Sequence, residues 1–264
     1  MVAPNGARRT RRDHPALPES VAETVATAKA CHTAGAGALH AHVRDARARH
    51  VLDAGRYREL IAEMARTVPD MDVQITTEAV GRYTPAEQRQ VVREVMPSAV
   101  SVAFREMMAD GSEAAARGFY HFADEAGIAV QHILYAPLEL DLLGRALAVG
   151  TVPGENVQLL FVLGRHALGE RSDPAELVPF LDRLADGEWR GVNPDWALCA
   201  FGVTETACLE AAFAAGGKGR VGFENSLWHA DGRLAADNAE RVREIAHARR
   251  TALAGASVTP GSSG

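Results

Sequence analysis

Short apolar runs alternate with longer amphipathic segments along nearly the whole chain, and no other feature restricts the fold as much. The candidate strands are MVAPN (1–5), GALHAHV (37–43), DVQITTE (72–78), AVSVAF (99–104), IAVQHILY (128–135), VQLLFVLG (157–164), WALCAFG (196–202) and RVGFEN (220–225). Segments with helical grammar lie between them, at 18–35, 53–68, 84–96, 111–127, 137–150, 172–187, 204–217 and 236–255. Pro18 opens the first and Gly35 stops it. Asp53 is the expected N-cap of the second. Thr84 and Glu87 form a capping-box pattern in the third, with Pro85 at its first helical position. Strands alternating with helices imply parallel βαβ units. Eight such units at this length predict a single-domain (β/α)8 TIM barrel over residues 1–255. The alternative, a doubly wound open sheet, usually has a Gly-rich turn after its first strand, and this chain reads NGARRT there. MVAPN is the weakest strand signal, and the tail ASVTPGSSG (256–264) is expected to be unstructured.

Composition narrows the function classes. Apolar residues make up 47% and charged residues 23%, an ordinary globular balance that provides a sizeable core. The net charge of −6 argues against a nucleic-acid binder, which needs a basic face. The local run RRTRR, Arg8 to Arg12, reads as a solvated loop or as an anion contact. Cys31, Cys199 and Cys208 lack CxxC spacing and are odd in number, so a reducing cytoplasm is the expected setting. Neither a signal-peptide apolar region nor an apolar run of membrane-spanning length is present, so no membrane partner is expected.

The stretch HAHVRD carries the chemistry. In a strand, residues i and i+2 share a face, so His40 and His42 sit side by side while Leu39, Ala41 and Val43 face the other way. Barrel enzymes build their sites at the C-terminal strand ends, where both histidines fall. By the same rule Arg220, Gly222 and Glu224 share a face of the last strand, and the second and last strands flank the first in a closed barrel. Two imidazoles and a carboxylate with an open fourth position form a catalytic Zn²⁺ ligand set. Hydrogen-bonded core histidines remain the alternative at this level of reading. His132 and His166 lie at or just past candidate strands, and Asp45 reads as a loop residue or a support behind the ligands.

Four stretches, GALHAHVRDARARHVLDAGRYRELI (37–61), VQITTEAVG (73–81), VQLLFVLG (157–164) and GGKGRVGFENSLWHADGRLAADNAERV (216–242), together resemble the β-keto acid cleavage enzymes. That family includes the 3-keto-5-aminohexanoate cleavage enzyme of lysine fermentation. The resemblance runs from NGARRTRRDHPALP to the final helix, and the pair of elements HxHxRD and RVGFEN is specific. It implies a (β/α)8 fold with Zn²⁺ held by His40, His42 and Glu224. It implies that a β-keto acid reacts with acetyl-CoA as co-substrate, giving acetoacetate and a new acyl-CoA. It further implies catalytic roles at Arg220 and Asn225, substrate contacts at Thr76, Thr77 and Ser101, and a homo-oligomer with a tetramer as the candidate form. Thr76 shares its strand face with Gln74 and Glu78, so Thr76 is the expected site hydroxyl and Thr77 is expected to face the core.

Three departures from the family pattern bear on the reaction. Asn225 stands where the family has Asp, Arg8 lies near the position of an early acid, and Ala136 lies near the position of a glutamate at a strand end. An amide cannot serve as a carboxylate base. The metal set is retained while acids around it are lost, which disfavours an amine-bearing substrate and favours an apolar or anionic side group. Glu78 and Glu205, both near strand ends, are candidate substitute bases. A metal-dependent hydrolase or lyase that does not use acetyl-CoA is the alternative function.

Overall fold

The computed structural model describes residues 1–164, 171–186, 189 and 192–256. His166 and, apart from Ala256, the tail at 256–264 lie outside the described residues. In chain order the elements are α1 (Val21–Thr33), β1 (Ala38–Ala41), α2 (Ala54–Thr67), β2 (Asp72–Thr76), α3 (Pro85–Val95), β3 (Ala99–Ala103), α4 (Phe104–Met107), α5 (Glu113–Glu125), β4 (Ala129–Leu134), α6 (Pro137–Ala148), β5 (Asn156–Leu163), α7 (Val178–Ala185), β6 (Asn193–Ala200), α8 (Glu205–Ala214), β7 (Lys218–Gly219) and α9 (Asn238–Ala256). The seven strands run parallel, each beside its sequence neighbour.

The expected first strand is reduced to a single residue, and that residue closes the barrel. Val2 bridges Leu39 on one side and Val221 on the other. Its N–H donates to the Ala38 carbonyl and its own carbonyl accepts from His40 N–H, both at 2.8 Å. Ala3 N–H donates to the Val221 carbonyl at 2.8 Å, and the Ala3 carbonyl accepts from Glu224 N–H at 3.1 Å. The fold is a (β/α)8 TIM barrel with its first and last staves joined through residues 1–3.

The helix signals act where the sequence puts them. Thr84 accepts from Glu87 N–H and Glu87 reaches back, with Pro85 opening α3. Asp53 caps α2 through Arg56 N–H. The first helix begins later than Pro18: Ser20 is its N-cap and Glu23 completes the capping box. The short α4 directly after β3 has no counterpart among the expected elements.

Strand alternation separates two cores. Ala103, Ile133, Leu160, Val162, Ala197, Cys199 and Phe201 fill the barrel interior. Residues of opposite parity, including Val100, Leu134, Phe161 and Leu198, pack outward against the helices. Phe161 stacks on Phe180 at 4.7 Å between ring centroids; burial of a side chain this size contributes about 1.5–3 kcal/mol.

The last strand differs from its expectation. Residues 220–225 are not a continuous strand: β7 spans only Lys218–Gly219, followed by the Val221 bridge. Gly222 takes φ +142°, and a Cβ there would lie 2.4 Å from the Ala3 carbonyl oxygen. The close approach of the N-terminal segment therefore requires glycine, whose backbone turns the chain out of the sheet. Asn225 and Ser226 N–H then both donate to the Gly222 carbonyl. Glu224 sits on this turn, so period-two alternation is not what brings it to the site.

Candidate metal centre

His40 lies next to the last residue of β1, on the inner face, and His42 follows directly after the strand ends at Ala41. The turn after Gly222 carries Glu224 to the same point. All three are buried, and their ligating atoms lie within 4.8 Å of one another. His40 Nε2 is 3.2 Å from His42 Nε2, and Glu224 Oε2 is 3.6 Å and 3.5 Å from those two nitrogens. A tetrahedral ion bound at about 2.0–2.1 Å to each ligand needs donor–donor spacings of about 3.3–3.4 Å. The triangle's spacings, 3.2 to 3.6 Å, come close to that requirement. Glu224 Oε2 is also a buried oxygen with no hydrogen-bond partner among the described residues, as expected of an atom whose partner is an ion.

Supporting groups fix the orientation of each ligand. His40 Nδ1 is 2.8 Å from Gln74 Oε1, while Gln74 Nε2 donates to Gln131 Oε1 at 3.2 Å. A proton on His40 Nδ1 directed at that acceptor leaves the Nε2 lone pair facing the triangle. The His42 ring lies between His40 and His50, at 5.1 Å and 5.0 Å between centroids. Its Nδ1 faces Glu78 Oε2 at 3.9 Å. Burial lowers the His40 pKa to about 4 and holds His42 well below the usual imidazole range. Both rings are therefore neutral at physiological pH, the form that binds metal. Burial alone would raise the Glu224 pKa, but the Arg220 guanidinium beside it leads the effects that outweigh this and hold the carboxyl well below its ordinary value.

Arg220 Nη2 donates to Glu224 Oε1 at 3.2 Å and approaches Cys199 Sγ at 3.3 Å. Its Nε and Nη1 are buried without hydrogen-bond partners among the described residues. A small cleft opens beside the triangle, lined by His40, Glu224 and Arg220 together with Thr76 and Glu78 on one half. Ile133, Tyr135, Val162 and Phe201 form the other half.

The remaining expected residues are distributed unevenly. Thr76 lines the cleft, and its Oγ1 accepts from Glu78 N–H at 3.1 Å. Thr77 faces away: its hydroxyl donates to the Ser101 carbonyl at 3.1 Å, and its carbonyl accepts from Gln88 Nε2. Ser101 lies inside the barrel wall, fully buried, with no partner for its hydroxyl among the described residues. Asn225 is also fully buried with both amide atoms unpartnered among the described residues, and it does not line the cleft. Glu205 lies outside the cleft, in a fully buried pair with Arg241 at 2.6 Å. His132 points outward from β4 against Tyr120 and Phe104. Asp45 accepts from Arg47 and Arg49 N–H in an exposed turn.

Arg9 was not singled out by the sequence beyond its basic run. Arg8 is exposed, but Arg9 turns inward and Nη1 donates to the Phe223 and Glu224 carbonyls at 2.7 Å and 3.2 Å. Arg44 of HVRD likewise donates to the Asn5 and Gly6 carbonyls, tying the N-terminal segment beneath Glu224. Nothing in residue spacing marks these two arginines, because both act on carbonyls distant in sequence.

Residues 1–259 match the β-keto acid cleavage enzyme family. The chain belongs to that family. It is 25% identical over 246 residues to the 3-keto-5-aminohexanoate cleavage enzyme of Fusobacterium nucleatum subsp. nucleatum, covering 91% of this chain and 86% of that enzyme. It is 23% identical over 246 residues to the enzyme of the same name from Acetoanaerobium sticklandii, covering 91% and 87%. Among solved structures, the complex of ObcA with oxaloacetate superposes with a TM-score of 0.69 at 17% identity, covering 93% of this chain. The chain spans 65% of that structure's length, and the likeness is one of fold. In this β-keto acid cleavage enzyme family member, no helix among the described residues is long and apolar enough to cross a membrane.

Proposed function

We propose that this protein is a Zn²⁺-dependent enzyme that exchanges acyl groups between a β-keto acid and acetyl-CoA, releasing acetoacetate and a new acyl-CoA. The observation that carries this reading is the near-tetrahedral triangle of His40, His42 and Glu224, with its open side facing a cleft, in a chain of this family. A divalent ion held there supplies Lewis acidity toward the keto and carboxylate oxygens of the substrate. Thr76 presents its hydroxyl beside those oxygens. Glu78, the cleft carboxylate outside the metal set, takes and holds the C2 proton, and Arg220, fixed through Glu224 Oε1, keeps N–H groups in reserve for the negative charge that develops at C2. That carbon bonds to the acetyl carbonyl carbon, and the CoA thiolate leaves. The thiolate then adds to C3, the C2–C3 bond breaks, and the proton returns to C2. The balance is R–CO–CH₂–COO⁻ plus CH₃–CO–SCoA giving R–CO–SCoA plus CH₃–CO–CH₂–COO⁻. In this reading Thr76 is the substrate-side hydroxyl, Thr77 and Ser101 support the wall behind it, and Asn225 stands as an amide where the family resemblance implies an acid.

The three buried free cysteines are consistent with a reducing, cytoplasmic setting. A homo-oligomer is proposed on family resemblance. The test is to mix purified Zn²⁺-loaded protein with acetyl-CoA and a panel of β-keto acids, and to look for acetoacetate and the new acyl-CoA by mass spectrometry. Turnover of a β-keto acid without acetyl-CoA would favour the hydrolase or lyase alternative.

A further inference from the structure

We infer that the side group R of the substrate is short and uncharged, and that Ile133, Val162 and Phe201 select it. The inference rests on the reading above and specifies the acid. The metal-binding half of the cleft gathers the polar groups, whereas the facing half is built from Ile133, Tyr135, Val162 and Phe201. Ile133, Val162 and Phe201 are 8%, 5% and 2% exposed and pack on one another across β4, β5 and the end of β6. An acid held with its carboxylate and keto oxygens toward His40, His42 and Glu224 therefore extends R onto this wall. A charged R would be stripped of water there with no charged partner in return.

Arg220 is taken up by the Glu224 carboxylate and by the charge that develops at C2, and the charges beside the apolar wall are already committed. Glu139 follows the end of β4, but its Oε2 accepts from Tyr135 N–H at 2.7 Å and its Oε1 faces Arg105 at 3.8 Å. Arg105 stacks on the Tyr135 ring, 3.9 Å from its centroid. Thus neither an ammonium nor a carboxylate on R meets an uncommitted counter-charge on this wall among the described residues. Glu78 belongs to the opposite half, beside His42. The cleft is small, with about 20 Å³ of open space, on the order of the room one water needs. That size restricts R to a few carbons.

The test compares kcat/KM for three β-keto acids of equal chain length with Zn²⁺-loaded protein and acetyl-CoA: 3-oxohexanoate, its 5-amino derivative and 3-oxohexanedioate. We expect 3-oxohexanoate to exceed both charged acids by about tenfold or more, a factor within reach of one pocket. Ile133→Glu should lower that preference over the amine at least tenfold while Zn²⁺ content stays unchanged. Val162→Ala should raise kcat/KM for 3-oxooctanoate relative to 3-oxohexanoate, and it serves where Ile133→Glu does not fold. A native preference for either charged acid, or a folded Ile133→Glu protein with an unchanged ratio, overturns the inference. If none of the three acids yields acetoacetate, the proposed reaction fails, and the side group is then read from binding alone. In that case saturation-transfer NMR on Zn²⁺-loaded protein must show 3-oxohexanoate binding most tightly, and tighter binding of a charged acid overturns the inference.

Discussion

Arg220 and Glu224 form a buried ion pair four residues apart that commits one carboxylate oxygen and leaves the other free. Nη2 meets Oε1 at 3.2 Å, while Oε2 faces the two imidazoles. The arginine thereby turns a flexible side chain into a directed ligand. It also keeps the carboxyl ionised at a depth where burial would otherwise favour the neutral acid.

Removing the arginine should therefore damage the fold as well as the site. Arg220→Met leaves the Glu224 carboxylate buried without its cation, and breaking such a pair costs about 3–5 kcal/mol. Urea unfolding of metal-free protein should register a loss of that order. A loss below about 1 kcal/mol would mean that water or another group already satisfies Glu224.

Gln74 should govern metal affinity without touching the metal. Its Oε1 sets the His40 tautomer, and loss of a group in that position typically weakens binding 10–100-fold. Competition against a chelator should find Gln74→Ala at least tenfold weaker for Zn²⁺, with the fold retained by circular dichroism. Equal affinity would show that His40 is oriented by packing alone.

The sequence made the barrel and most of the triangle legible, because both follow from local rules. Strand–helix alternation specifies parallel units, and the i, i+2 relation pairs His40 with His42. Period-two alternation leads to Glu224 for an incomplete reason: the chain turns out of the sheet at Gly222, and that turn carries the carboxylate to the two histidines. MVAPN carries only a weak strand signal, and in the fold only its Val2 pairs on both sides. Arg9 and Arg44 were unreadable because their partners are carbonyls whose positions exist only once the barrel has closed.

Acid should destabilise the protein through a histidine remote from the site. Burial lowers His132 to about 4 from an ordinary 6.5. Between those values the unfolded chain holds a proton that the folded chain refuses, so stability falls as pH drops through this window. The slope is about 1.4 kcal/mol per pH unit. His40 and His50, also lowered to about 4 by burial, add in the same direction. His132→Phe should lose about 2 kcal/mol less than the native protein between pH 7.5 and 5.0, measured by urea unfolding at each pH. Parallel losses in the two proteins would show that the ring is protonated in the fold.

The backbone beneath the carboxylate should be as restrictive as the ligands themselves. Gly6 adopts φ +61°, and a Cβ there would lie 2.5 Å from Glu224 Cγ and 3.0 Å from its Cβ. Those atoms belong to the base of the side chain and cannot swing aside while Oε1 stays on Arg220. Gly6→Ala must therefore shift Glu224 or the N-terminal segment, whose Gly6 carbonyl accepts from Arg44. The left-handed conformation itself costs alanine about 1–2 kcal/mol, and the crowding adds to it. Zn²⁺ affinity should fall at least tenfold in this variant, and thermal unfolding of the metal-free protein should shift downward. A Gly6→Ala protein that binds Zn²⁺ normally would show that Glu224 holds the metal from a different position than this geometry gives it.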